Sequence, residues 1–272
     1  MSDIKSIAQI KQEFEQSGDD KEALYVQYAG DSRKGVQNLI TKYQKEAQKL
    51  VKERERLETM RFFEHKYSEY HAICGIDEAG RGPLAGPVVA GAVILPEDVE
   101  ILYLNDSKKL SAARREELYE EIKEKAICYG VGIASPERID QINILQATYE
   151  AMRDAIAALM PAPDLLLVDA VHIPEVETKQ VGIIKGDAKS VSIAAASIIA
   201  KVTRDHMMME MDALYPEYGF AGHKGYGAAK HIEAIKKYGP CPIHRRTFIK
   251  NFMERDGLWN KSIRGKFTGV MS

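Results

Sequence analysis

The chain has little cysteine, a single tryptophan and no long uninterrupted apolar stretch. Cys74, Cys128 and Cys241 are odd in number and far apart, and their spacing matches no zinc pattern. Two of them fall in segments that read as core strands, so reduced structural thiols are expected and not bridges. No apolar run approaches the roughly 18 residues that a membrane span requires. The opening MSDIKSIAQIKQEFEQ is charged throughout and lacks the apolar centre of a signal peptide, so a soluble cytoplasmic protein is expected. A dominant charge is also missing: 38 Lys and Arg stand against 40 Asp and Glu, which selects no class of partner. Only the distribution is uneven. Residues 222–272 hold eleven basic and three acidic residues, a net +8 by subtraction, which suits either phosphate backbones or a solvated helix face.

What is present divides in two. Residues 1–70 contain no proline, and Val36, Leu39, Tyr43, Ala47, Leu50, Leu57 and Met60 recur at helical spacing, with Asp31 and Ser32 as candidate caps. This predicts a small helical domain over residues 1–70. From residue 71 strands and helices alternate. Strands are expected at 73–77, 88–95, 127–135, 165–170 and 179–185, and helices at 111–126, from Asn143 to Met160, and from 186 onward. LLLVDA is continuously apolar, as in a sheet covered on both faces. An α/β domain over 71–272 follows, with a helical appendage from about residue 216.

Four carboxylates stand in unusual places. Asp77 and Glu78 end the first strand, Asp169 ends LLLVD, and Asp187 precedes the long helix. Adjacent strand residues face opposite ways, so Asp77 and Glu78 converge only if the backbone bulges or leaves the strand there. Charges at the margins of apolar strands need partners, and several acids around one point call for a divalent cation such as Mg²⁺ or Mn²⁺. Each also has an ordinary alternative: helix cap for Asp187, turn residue for Glu78, cap or lysine partner for Asp169. Gly80, Arg81 and Gly82 form either a tight turn or a phosphate cradle. Lys108 in NDSKKL is a phosphate contact or a solvated lysine. Tyr226 in GHKGYG is a stacking platform or an exposed turn tyrosine. His223, His231 and His244 lack metal-ligand spacing, which favours solvated or core roles.

In chain order, GIDEAGRGPLAGPVVAGAV, NDSKKL, NILQATYEAM, LLLVDA, GDAKSVSIAAASIIAKVTRD and GHKGYG resemble ribonuclease HII, over roughly residues 71–250. Gly-Arg-Gly after Asp-Glu fits this family better than its sister, ribonuclease HIII. The resemblance implies a ribonuclease H-like fold, a five-stranded mixed sheet flanked by helices. It implies a monomeric endonuclease acting on the RNA strand of RNA–DNA hybrids and 5′ to single ribonucleotides in duplex DNA, leaving 3′-hydroxyl and 5′-phosphate ends. Ribonucleotide excision repair and DNA replication are the implied settings. The family's four acids fall on Asp77, Glu78, Asp169 and Asp187, whose role would be to hold two divalent ions, Mn²⁺ or Mg²⁺, astride the scissile phosphate. Gly80, Arg81 and Gly82 match the segment that reads the 2′-hydroxyl, and Tyr226 the tyrosine that stacks on the following deoxyribose. Lys108, Lys189 and Ser190 are further phosphate-contact candidates, the last two aided by a helix N-terminus. Rival readings are another nuclease of the same fold and a non-catalytic hybrid binder.

Overall fold

The computed structural model describes residues 5–18, 20–255 and 257. It divides into two compact units between Thr59 and Met60.

In the first unit, helix α1 (Ile7–Gln16) opens on a capping box. The Gln9 amide donates to the Ser6 hydroxyl, and the Ser6 amide donates to the Gln9 side chain. Helix α2 (Glu22–Tyr28) follows, and then the long helix α3 (Lys34–Met60). The helix begins at Lys34, after Asp31 has turned the chain by accepting the Arg33 amide at 2.9 Å. Ile10 and Phe14 pack with Tyr28, Val36, Ile40 and Tyr43, and the rings of Phe14 and Tyr43 stack at 4.9 Å. The periodicity seen in the sequence is therefore the apolar stripe that buries this small core.

The second unit starts earlier than the compositional boundary near residue 70. Helix α4 (Phe62–Lys66) and the tyrosines after it belong here, because Phe63, Tyr67 and Tyr70 pack on Leu165, Leu167, Ile183 and Ile193. The sheet then forms from β1 (Ile73–Ala79), β2 (Val88–Ile94), β3 (Cys128–Ala134), β4 (Leu165–Asp169) and β5 (Lys179–Ile183). Its order is β3-β2-β1-β4-β5; β1 runs antiparallel to β2 and parallel to β4, β2 antiparallel to β3, and β4 parallel to β5. The five-stranded mixed sheet is the one the family resemblance implied.

Helices close both faces. Helix α5 (Ala112–Lys125) is capped by Ser111, and α6 (Pro136–Ala157) by Ser135. Helix α6 packs Ala147, Ala151, Met152 and Ala155 against one sheet face. It begins seven residues before NILQATYEAM and is broken at Asn143, whose φ of 69° is left-handed. The Asn143 side chain recaps the second segment by accepting the Leu145 and Gln146 amides. Helix α7 (Val191–Leu214) lies on the other face, close enough at Gly75 that a Cβ there would strike the Ser192 backbone. The appendage comprises α8 (Phe220–His223), α9 (Ala229–Tyr238) and α10 (Arg246–Arg255), packed with Ala85, Met208 and Tyr218. Among the described residues no helix is long and apolar enough to cross a membrane.

Candidate active site

Parallel pairing places the acids. The register of β1 on β4 sets Ile76 against Val168, so Asp77 and Asp169 are the next residues on two adjacent strands ending at the same sheet edge. The bulge expected at Asp77–Glu78 is absent: β1 stays in register with β2 through Glu78–Ala90 and Ala79–Val89. Convergence comes instead from the β4 side, where the ladder stops after Ile76 and leaves β1 open toward Asp169. Asp187 arrives in a 3-10 turn, Gly186–Ala188, directly after β5. The Gly186 amide donates to Asp169 Oδ1 at 2.7 Å, which ties that turn to the strand end.

Asp77 is only 5% exposed. Its Oδ1 accepts the Glu78 amide at 2.7 Å, and its carboxylate bonds the Ser197 side chain on α7. Ser197 in turn contacts the Ser107 hydroxyl at 2.9 Å. Burial, then the charges of Glu78 and Asp169, push the Asp77 carboxyl well above its ordinary range. Burial also raises Glu78, with Asp169 adding to it; Arg81, 3.3 Å away, and Lys108 work against the rise. Asp187 is raised by burial and then by Asp106 and Asp169. Lys108 completes the group. Burial alone would lower it, but Asp77, Asp106, Asp187 and Glu78 together hold it above its usual value.

The donor set suits a hard divalent cation. It consists of carboxylate oxygens whose mutual repulsion and burial disfavour ionisation, with Lys108 and Arg81 as nearby cations. Among the described residues no three His, Cys, Asp or Glu side chains stand together as a group that could hold a metal ion by themselves. An ion held here would complete its shell with water and phosphate oxygens, as Mg²⁺ commonly does.

Beside the acids, the Gly-Arg-Gly loop is held from beneath by two fully buried arginines. Arg245 donates to the carbonyls of Gly80, Arg81, Gly86 and Pro87, and Arg204 to those of Ala85, Pro87 and Lys224. Gly80 has φ +93°, and a Cβ there would collide with Arg204. Gly82 is different, since among the described residues a Cβ there would meet only the Tyr226 ring, at 3.9 Å. The Leu84 amide donates to Gly225 at 2.8 Å, so the loop at 80–87 and the GHKGYG loop form one braced unit with Tyr226 on its surface, 46% exposed.

Two expectations change. The Ser190 hydroxyl is buried, donating to Glu64 Oε1 at 2.6 Å and accepting the Ile193 amide at 3.2 Å. Glu64 also takes the Ser192 amide at 3.0 Å, so the N-terminus of α7 already carries an anion from α4, and Ser190 is a cap and not a phosphate contact. Lys189, next to it, is exposed. Arg245 contributes to the basic tail's charge but is buried, and so does not belong to a solvent-facing patch. Sequence reasoning missed Asp106, Ser197, Arg204 and Glu64. Asp106 lies within NDSKKL, where it starts a short 3-10 turn by accepting the Lys108 amide at 2.9 Å. The other three offered no local signal.

The ribonuclease HII model matches residues 74–251, and the ribonuclease HII N-terminal domain model matches residues 6–68. Ribonuclease HII of Lachnoclostridium phytofermentans is 62% identical over 224 residues, 82% of this chain and 88% of that protein. Ribonuclease HII of Clostridioides difficile is 54% identical over 252 residues, 92% and 99% of the two chains. The crystal structure of ribonuclease H2 from Pyrococcus horikoshii superposes with a TM-score of 0.57 at 30% identity, covering 68% of this chain and 98% of that one. With its helical N-terminal extension, the chain belongs to the ribonuclease HII family, the divalent-metal-dependent endoribonucleases that cut the RNA strand of RNA–DNA hybrids.

Proposed function

We propose that this enzyme cleaves 5′ to a ribonucleotide, including a single one embedded in duplex DNA, by an in-line displacement assisted by two divalent ions, Mn²⁺ or Mg²⁺. It acts as a monomer and leaves 3′-hydroxyl and 5′-phosphate ends. Asp77, Glu78, Asp169 and Asp187 would hold the ions, which when bound supply charge stabilisation to the attacking and leaving oxygens. The observation that carries this is the joining of acids from β1, β4 and the turn after β5 to a loop made of Gly80, Arg81, Gly82 and Tyr226.

Each residue has a defined task. Ser197 and the Glu78 amide orient Asp77, and Gly186 orients Asp169. Lys108, within the field of four acids, balances charge and contacts the phosphate as it approaches. Arg81 leaves Glu78 and Lys189 extends from the helix start to meet the backbone. Among the described residues nothing requires glycine at 82, which supports a role in close approach by the ribose and its 2′-hydroxyl. Tyr226, fixed over Gly82, offers a ring face to the next sugar. The test is a duplex carrying one ribonucleotide against an all-DNA duplex, with and without Mg²⁺ or Mn²⁺. Metal-dependent cutting of the first alone is expected. Cutting of both would favour a general nuclease, and binding without cutting a non-catalytic role.

A further inference from the structure

Behind Tyr226 lies a histidine cluster that the acid site does not use. His231 and His244 are 0% and 1% exposed. The polarity of their hydrogen bonds is dictated at both ends by backbone groups that have only one role. The Cys241 amide can only donate, and it meets His244 Nδ1 at 3.0 Å. The Tyr226 carbonyl can only accept, and it meets His231 Nδ1 at 2.8 Å. His244 therefore carries its hydrogen on Nε2, and His231 carries its hydrogen on Nδ1. The two Nε2 atoms lie 3.0 Å apart, and in these tautomers the first donates and the second accepts. Cys241 Sγ, 3.1 Å from the same His244 nitrogen, presents a second donor and the same polarity. A proton on His231 Nε2 would set N–H against N–H at the shared contact, and a proton on His244 Nδ1 would set N–H against the Cys241 amide. Burial accordingly lowers His231 to about 4 and His244 to about 3.

His223 completes the arrangement. Its Nδ1 accepts the Gly225 amide at 3.2 Å, and its Nε2 donates to the Tyr218 carbonyl at 2.9 Å. Its ring stacks on His231, with centroids 4.4 Å apart and planes at 16°. The stacked rings thus hold the Gly225–Tyr226 segment at its amide and at its carbonyl. Apolar side chains would fill the same space without the cost of burying imidazoles, so packing alone does not account for them.

We propose that His244 and His231, relayed in fixed neutral tautomers and backed by His223, are positioning residues that set the Tyr226 main chain and hence its ring over Gly82. The consequence for cleavage rests on Tyr226 stacking against the sugar; the hydrogen-bond relay itself does not. Two measurements on the full chain decide it. Nitrogen-15 NMR of labelled histidines should show hydrogen on His231 Nδ1 and His244 Nε2, with neither ring titrating between pH 8 and about 5.5. Opposite tautomers, or midpoints near the ordinary histidine value, overturn the relay.

In cleavage assays, His231→Leu removes the donor to Tyr226, whereas His231→Asn keeps an amide donor in the place of Nδ1. His231→Leu should lower kcat at a single ribonucleotide about tenfold, as loss of one stacking interaction would, with KM little changed. His231→Asn should recover most of that loss. In a Tyr226→Ala background, His231→Leu should add less than about twofold, because both changes remove the same interaction. A full additional loss in that background, or no rescue by Asn, reduces the histidines to general packing and overturns the proposal. If Tyr226→Ala alone leaves junction cleavage untouched, the stacking role falls, and the NMR result still decides whether the histidines set the loop.

Discussion

Arg245 holds the backbone of Gly80: its Nη2 donates to the Gly80 carbonyl at 2.5 Å, across 165 positions of sequence. The same guanidinium reaches Arg81, Gly86 and Pro87, so the far end of the chain shapes the loop beside the acids. Burial, and then the neighbouring Arg204, lower Arg245 to about 9, still charged at neutral pH. Lysine cannot reproduce the planar fan of donors. Arg245→Lys should therefore destabilise the protein by roughly 2–3 kcal/mol through carbonyls left unpaired, read as a fall in Tm. Cleavage should fall with it, even at temperatures where the variant is folded.

Salt dependence should come from other residues of the same region. Lys230 and Lys237 are exposed, seven residues apart along α9. Lys230→Glu with Lys237→Glu should flatten the slope of log affinity against log salt for hybrid binding, by about 0.9 for each phosphate that the variant no longer neutralises. Fluorescence anisotropy over a salt series measures this. An unchanged slope returns that helix face to solvent.

Each acid should be separately indispensable. Asp77→Asn, Glu78→Gln, Asp169→Asn and Asp187→Asn should each reduce kcat by about 10²-fold or more, since ion placement and transition-state stabilisation are lost together. Circular dichroism should show the fold retained. Near-normal turnover in Asp77→Asn or Asp169→Asn at ordinary metal concentrations would refute the ligand assignment.

The same acids set the pH dependence of the metal-free protein. Asp77, Glu78 and Asp187 have carboxyls raised in the folded state, so folding retains protons that the unfolded chain releases. Their contribution is greatest below the ordinary carboxyl value near 4 and is lost as pH rises through the raised values. Asp77→Asn should thus raise Tm at pH 7 in the presence of a chelator, and raise it less at pH 4. His231 and His244 act with the opposite sign, their contribution being present above about 6.5 and lost as pH falls toward 4 and 3.

Tyr226→Ala should cost roughly 1–3 kcal/mol of stacking, about five- to 150-fold in rate, and cost it selectively at a single embedded ribonucleotide. Tyr226→Phe keeps the ring and should be milder. Equal losses on a long hybrid would point to general positioning, and no loss on either substrate to a plain turn tyrosine.

Much of this molecule was determined locally. Strand and helix positions, the helical character of the first unit and the placing of Asp169 and Asp187 at element ends follow from apolar periodicity and turn residues, which act over a few neighbours, whereas β1 runs two residues past Asp77 to Ala79. Six short motifs carried the family for the same reason. Other features depend on contacts between residues far apart in the chain. Pairing between β1 and β4 placed Asp77 and Asp169 just beyond the paired Ile76 and Val168, with no bulge in β1 against β2. Glu64 reached the start of α7 across 126 positions and turned Ser190 from a candidate phosphate ligand into a cap. Arg245, counted in the sequence among the basic residues of 222–272, and Arg204, which carried no local signal, became buried clamps because carbonyls from the 80–87 loop surround them. A side chain's charge is written in its identity, but its partners are chosen by the packing of distant segments, and only the folded structure brings those segments together.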